Sequence, residues 1–92
     1  MKLDEFVGKP CRSKVAFEFV PKHSTKINLE ESVKELRKEF LVEVESKLLL
    51  IVRIADKNIS IFPSGKILVR NEKIEQEARN IAERVVKKLK TN

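Results

Sequence analysis

The amino-acid sequence predicts an α+β fold: five antiparallel strands in one sheet and two helices on one of its faces, in the order β-α-β-β-β-β-α. Three observations predict it. Apolar–polar alternation, the period of a half-buried strand, occurs at 14–20 and then four times in succession between 41 and 70. Two other segments, 29–40 and 72–90, repeat their apolar residues every three or four positions, the period of an amphipathic helix. The connections among the four consecutive strand segments are short, and short connections make antiparallel hairpins.

Residues 1–13 mix charges with Gly8 and Pro10 and carry no period, so they read as an irregular N-terminal arm before a single domain at 14–92. In the first strand Val15, Phe17 and Phe19 alternate with Lys14, Ala16 and Glu18, and Pro21 ends it for lack of an N–H. Asn28 is placed to cap the first helix, Glu30 and Glu31 complement its positive end, and Leu29, Val33, Leu36 and Phe40 form its apolar stripe over about three turns. Val42 and Val44 alternate with Glu43 and Glu45 in the second strand, and Ser46-Lys47 is a turn. The third, fourth and fifth strands fall at 48–55, 58–62 and 66–70, separated by turns at Asp56-Lys57-Asn58 and Pro63-Ser64-Gly65. The second helix carries Ile74, Ala78, Ile81, Val85 and Leu89 on one face. Asn71 is placed at its start, with glutamates early and Lys87, Lys88 and Lys90 late, in the order that suits the helix dipole.

Two helices cover one face of such a sheet and leave the other without a second layer. Alternation puts Ile59, Ile61, Ile67 and Val69 inward. On the free face it collects Leu49, Ile51, Phe62 and Leu68, with Lys47, Arg53 and Arg70 around them and Lys14, Ala16 and Glu18 from the first strand. A contiguous exposed apolar patch with a basic rim marks an interaction surface, whereas single exposed apolar residues are ordinary.

Composition narrows the function. Ninety-two residues with 41% apolar content support one modest core, to which dimerisation would add burial. No apolar run is long enough to span a membrane and the N-terminus lacks the apolar run of a signal peptide, so no membrane association is expected. The single cysteine, Cys11, has no partner for an internal disulfide, which fits a reducing, cytoplasmic setting. The net charge of +6 arises entirely after residue 46, since residues 1–46 hold nine basic and nine acidic side chains and residues 47–92 hold eleven and five. A one-sided positive charge suits an acidic partner such as nucleic acid, although a heat-adapted protein rich in Lys and Glu shows a similar balance. Catalysis has no visible constellation. His23, the only histidine, lies in a polar connection, Cys11 has no base nearby in sequence, and the two glycines are too far apart for a phosphate loop. One histidine and one cysteine cannot hold zinc, so no metal and no cofactor is expected.

The stretch ISIFPSGKILVRNEK, residues 59–73, followed by EQEARNIAERVVKKL, resembles one repeat of the core domain of the TATA-binding protein family. The shared pattern is a strand ending in Ile-Phe, one residue, Ser-Gly-Lys, a second strand and a helix. Upstream, INLEESVKEL is similar to that family's first helix and LLLIVRI to one of its strands. The resemblance spans residues 14–90 and implies a curved sheet whose concave face sits in the DNA minor groove. Family proteins carry two repeats in one chain, forming a saddle. A single repeat implies that a homodimer would rebuild a ten-stranded saddle by two-fold symmetry. By the same resemblance Phe62 matches one of two phenylalanine wedges, the other falling at Lys47, and Arg53 matches an arginine that contacts the DNA backbone. A groove-reading asparagine falls near Lys14, a fifth-strand threonine is Arg70, and the glycine after it is Asn71.

The resulting expectation is a non-enzymatic module that contacts duplex DNA, non-specifically or with AT preference, through Lys47, Arg53, Phe62, Lys66, Leu68 and Arg70. The alternative is a protein-interaction or assembly module whose partner, a second copy or another protein, covers Leu49, Ile51 and Phe62. Single repeats of this fold also occur as substrate-holding appendages of nucleic-acid enzymes such as some ribonucleases H.

Overall fold

The computed structural model describes residues 6–10 and 16–91. Its elements are β1 (Phe6–Pro10), β2 (Ala16–Pro21), α1 (Leu29–Leu36), β3 (Leu41–Glu45), β4 (Leu50–Ile54), β5 (Lys57–Ile61), β6 (Ile67–Arg70) and α2 (Glu75–Val86). The strands form one antiparallel sheet in the order β1-β2-β6-β5-β4-β3. The α+β architecture is the expected one, with one strand more than the expected five.

That extra strand is β1, at 6–10, where the sequence suggested an irregular arm. It pairs with β2 from Phe6 opposite Pro21 to Pro10 opposite Phe17. Its alternation is hard to read because an inward position, Gly8, has no side chain. A Cβ there would lie 2.7 Å from the Phe19 ring and 3.3 Å from an Arg79 nitrogen, so glycine is what lets β1 approach β2 and α2. Expectations placed on Cys11, Lys14 and Val15 lie outside the described residues.

The core lies between the sheet and the helices. Phe17 and Phe19 of β2, Leu50 and Val52 of β4, Ile59 and Ile61 of β5, and Ile67 and Val69 of β6 all point into it. They meet Leu29, Val33 and Leu36 from α1 and Ala78, Ile81, Ala82, Val85 and Val86 from α2. Asn28 caps α1, its side-chain oxygen accepting the Glu31 N–H at 3.1 Å. The helix is shorter than the three turns expected. The chain leaves it at Arg37, yet Phe40 stays buried and its N–H still reaches the Leu36 carbonyl at 2.8 Å.

Local geometry corrects four further expectations. A bulge at Glu43 sets Val42 opposite Val52 and Val44 opposite Ile51, so the two valines face opposite sides. The third strand begins at Leu50, after a turn in which the Ser46 hydroxyl accepts the N–H groups of Leu48 and Leu49 at 3.2 and 3.0 Å. The β4–β5 turn is Ala55-Asp56, one step earlier than its polar residues suggested, with Ala55 at φ 56°. Asn71 does not cap α2. It adopts φ 63° and donates to the Asp56 carbonyl at 2.9 Å, while the Glu72 carboxylate accepts the N–H groups of Lys73 and Ile74 at 3.0 and 3.2 Å.

The helices are tied to each other as well as to the sheet. The fully buried Ser32 hydroxyl accepts the Lys90 N–H at 2.8 Å, and the Asn28 N–H reaches the Lys90 carbonyl at the same distance. Glu39 receives Arg84 at 3.0 Å and Lys88 at 3.2 Å, and these cations hold its carboxyl below the usual glutamate range. Lys88, expected to serve the α2 dipole, is thereby engaged with the end of α1. Among the described residues no helix is long and apolar enough to cross a membrane, and no three His, Cys, Asp or Glu side chains gather as metal ligands.

Candidate nucleic-acid interface

The helices cover only one side of the sheet, so the alternate residues of the same strands face away from them. Strand pairing arranges these residues in rows. The middle row runs Glu18, Leu68, Ser60, Ile51 and Val44, across β2, β6, β5, β4 and β3. One rung towards the β5–β6 turn lie Val20, Lys66, Phe62 and Leu49. One rung the other way lie Ala16, Arg70, Asn58, Arg53 and Leu41.

Of the apolar residues read onto this face, Leu49, Ile51, Phe62 and Leu68 are all there and all half-buried by their neighbours, while Val44 is 40% and Leu41 64% exposed. At the centre Ser60 is only 1% exposed, enclosed between Ile51 and Leu68. The face is therefore an apolar floor, more enclosed in the middle than at its β3 edge.

Phe62 takes its place from the β5–β6 turn. The Gly65 N–H bonds the Phe62 carbonyl at 2.9 Å and the Phe62 N–H bonds the Lys66 carbonyl at 3.0 Å. Gly65 sits at φ 91°, and a Cβ on it would fall 2.6 Å from the Pro21 ring, so no other residue fits this turn without a shift. The turn presents Phe62 and Lys66 side by side, with the ammonium 5.4 Å from the ring centroid.

The basic residues differ in how free they are. Lys66 pairs with Glu18 at 2.9 Å. Arg53 pairs with Glu43 at 3.6 Å, and its Nε donates to the Ala55 carbonyl at 3.1 Å. Arg70 is exposed and has no ion-pair partner among the described residues. Lys47 stands apart. It lies in the β3–β4 turn beside Ile27, Asn28, Leu29 and Glu30 at the start of α1, so the structure does not bring it to the floor with the other five candidates. Exposed ion pairs are worth roughly 0–1 kcal/mol, so Arg53 can exchange the Glu43 carboxylate for another anion at small cost.

Sequence reading missed Val44 and the Lys66–Glu18 contact. The first needed the bulge, and the second needed the β2–β6 register, which no local pattern encodes.

Among the described residues, two helices back one face of the sheet and the other face, whose aromatic and basic residues flank a Ser-Gly-Lys hairpin, has no second layer, as the sequence resemblance implied; the sixth strand, β1, lies outside that expectation. Comparison with protein families agrees: the model for "Transcription factor TFIID (or TATA-binding protein, TBP)" matches residues 19–92, from within β2 to the end of the chain. Searches of curated proteins and of solved structures return no significant match. With most of its length matched, and with the fold in agreement, the chain belongs to the TATA-binding protein family.

Proposed function

We propose that the chain is a non-enzymatic DNA-binding module that contacts duplex DNA through the bare face of its sheet. The observation that carries the reading is the floor of Leu49, Ile51, Phe62 and Leu68 beside Arg53, Lys66 and Arg70, on the sheet of a TATA-binding protein family member. The apolar floor suits the sugar edges of a minor groove and the cations suit its phosphates. Phe62 is the one wedge candidate. Unstacking a base step costs a few kcal/mol, so one wedge per chain favours groove contact with modest bending.

A homodimer would double the face and supply a second wedge by symmetry. With six strands per chain, a continuous dimer sheet would have twelve strands rather than ten. The outer strands are β1 and β3, because β1 occupies the edge of β2. The test is fluorescence anisotropy with a short AT-rich duplex over a salt series, alongside light scattering. Salt-sensitive binding by a dimer supports the reading, and absence of binding at low salt refutes it.

A second reading, a protein-interaction module, is favoured by one observation. Leu41 and Val44 on β3 and Leu48 in the β3–β4 turn are exposed by 64%, 40% and 77%. Phe62→Glu would then abolish assembly measured by light scattering, and an unchanged mass would count against this reading.

A further inference from the structure

Phosphate contacts hold a protein on a duplex, but base edges are read by groups that keep hydrogen-bonding capacity to spare. On the bare face Ser60 is enclosed by the floor, and Glu18 and Lys66 are engaged with each other. Asn58 differs from these. It lies on β5, half-buried, opposite Arg53 of β4. The β5–β6 register, which sets Ile59 opposite Val69, brings Arg70 to its other side. The Asn58 side-chain amide makes no hydrogen bond among the described residues. No enclosed side-chain polar atom among them lacks a partner, so this amide opens to solvent.

The geometry points to Asn58 as the specificity-determining residue of the face, a reader of the minor-groove edge of A·T pairs. The inference rests on the DNA-binding reading above. Neighbouring strands are about 4.8 Å apart, so Arg53 and Arg70 leave the sheet about 10 Å from each other with Asn58 between them. A minor groove about 6 Å wide fits between two such cations, with its phosphates towards the arginines and its floor towards the amide. There A·T pairs of either orientation present only acceptors, whereas a G·C pair adds the guanine amino donor. The Asn58 NH2 group donates to the acceptors. Against a guanine amino group the amide would have to turn its oxygen to the DNA and its NH2 towards the flanking guanidiniums, an arrangement their positive charge opposes. Arg53 and Arg70 thus supply affinity for any sequence, and their charge fixes which end of the amide faces the groove.

The test is fluorescence anisotropy with three duplexes of equal length: A·T-rich, G·C-rich, and the G·C-rich sequence with inosine in place of guanine. Inosine lacks the amino group, so its pairs with cytosine present an A·T-like minor groove and a G·C-like major groove. The unaltered chain is expected to bind the A·T and inosine duplexes alike and the G·C duplex about three- to tenfold more weakly, the range of one hydrogen bond. Asn58→Leu keeps the side chain's size and removes its polar groups. It should weaken binding of the first two duplexes until all three agree within about twofold, and leave the salt slope unchanged because no charge is lost. Arg70→Gln should instead weaken all three alike and lower the slope. Asn58→Ala, which removes bulk as well, should repeat the Asn58→Leu pattern, and thermal melts of each variant separate a lost fold from a lost contact. If the unaltered chain binds all three duplexes equally, or Asn58→Leu keeps the preference, or the inosine duplex behaves as the G·C one does, the role of Asn58 is refuted and the DNA-binding reading stands. If no duplex is bound at low salt, the DNA-binding reading itself fails and the role of Asn58 with it.

Discussion

The two faces of the sheet are built from alternate residues of the same strands, yet they are chemically unlike. Towards the helices, Phe19, Leu50, Val52, Ile59, Ile61, Ile67 and Val69 are all fully enclosed. Towards solvent, the intervening positions are Val20, Ile51, Arg53, Ser60, Leu68 and Arg70: three half-buried apolar residues, an enclosed serine and two exposed arginines, of which Arg53 is ion-paired. Stability belongs to the first face, and the second is the face proposed for recognition. A one-residue slip in any strand would exchange the two sets, so the purity of the inner face also fixes the outer one in place.

Substitutions should divide along this line, and the largest effect belongs to the inner face. Leu50→Ala empties a fully buried position and should cost about 2–5 kcal/mol in denaturant unfolding. Next comes the β1 edge. Gly8→Val places a side chain against the Phe19 ring and should cost about 1–3 kcal/mol, or release β1 altogether. Release would bare the β2 edge, which light scattering would record as increased self-association. Phe62→Ala tests the outer face. It should change stability by about 1 kcal/mol or less while weakening duplex binding roughly tenfold, a contrast that Leu50→Ala cannot produce. Equal losses of stability and binding in both variants would erase the distinction between the faces. Ala55→Gly should stabilise by about 0.5–1 kcal/mol, because a left-handed backbone strains alanine and not glycine.

The smallest effect expected is a pH dependence. Arg84 and Lys88 hold the Glu39 carboxyl below its ordinary range, so its contribution to stability is complete above the unfolded-state value of about 4.3 and is lost as pH falls through the lower folded-state value. Glu39→Gln should flatten the acid side of the stability profile slightly, and only there. Asp56, held low by Lys57, acts in the same direction.

Much of this fold is legible in the sequence because its strongest signals are periodic. The four-strand meander and the buried stripes of both helices follow from alternation and from three- and four-residue spacing, except that Ile74, read as part of the second stripe, precedes α2 and is 60% exposed. What was illegible depends on distant partners or on missing side chains. Strand β1 hides behind Gly8, whose purpose is visible only once Phe19 and Arg79 lie above it. The Glu43 bulge and the positive φ of Ala55 are backbone events with no side-chain signature. Asn71 looked like a helix cap because it precedes a helix, but Asp56, fifteen residues earlier, claims its amide. At the interface the apolar residues were legible through alternation. Which cations were already engaged was not, since Lys66–Glu18 joins residues far apart in the chain.

The measurement that bears most directly on the central claim is the salt dependence of duplex binding by the unaltered chain and by Arg70→Gln, the exposed arginine beside the floor. Binding of about micromolar strength or better is expected at low salt and should weaken steeply as salt rises, with a slope shallower by about 0.9 in the variant. A chain that binds no duplex at low salt, or one whose slope is untouched by the loss of Arg70, would contradict the assignment of this face to DNA.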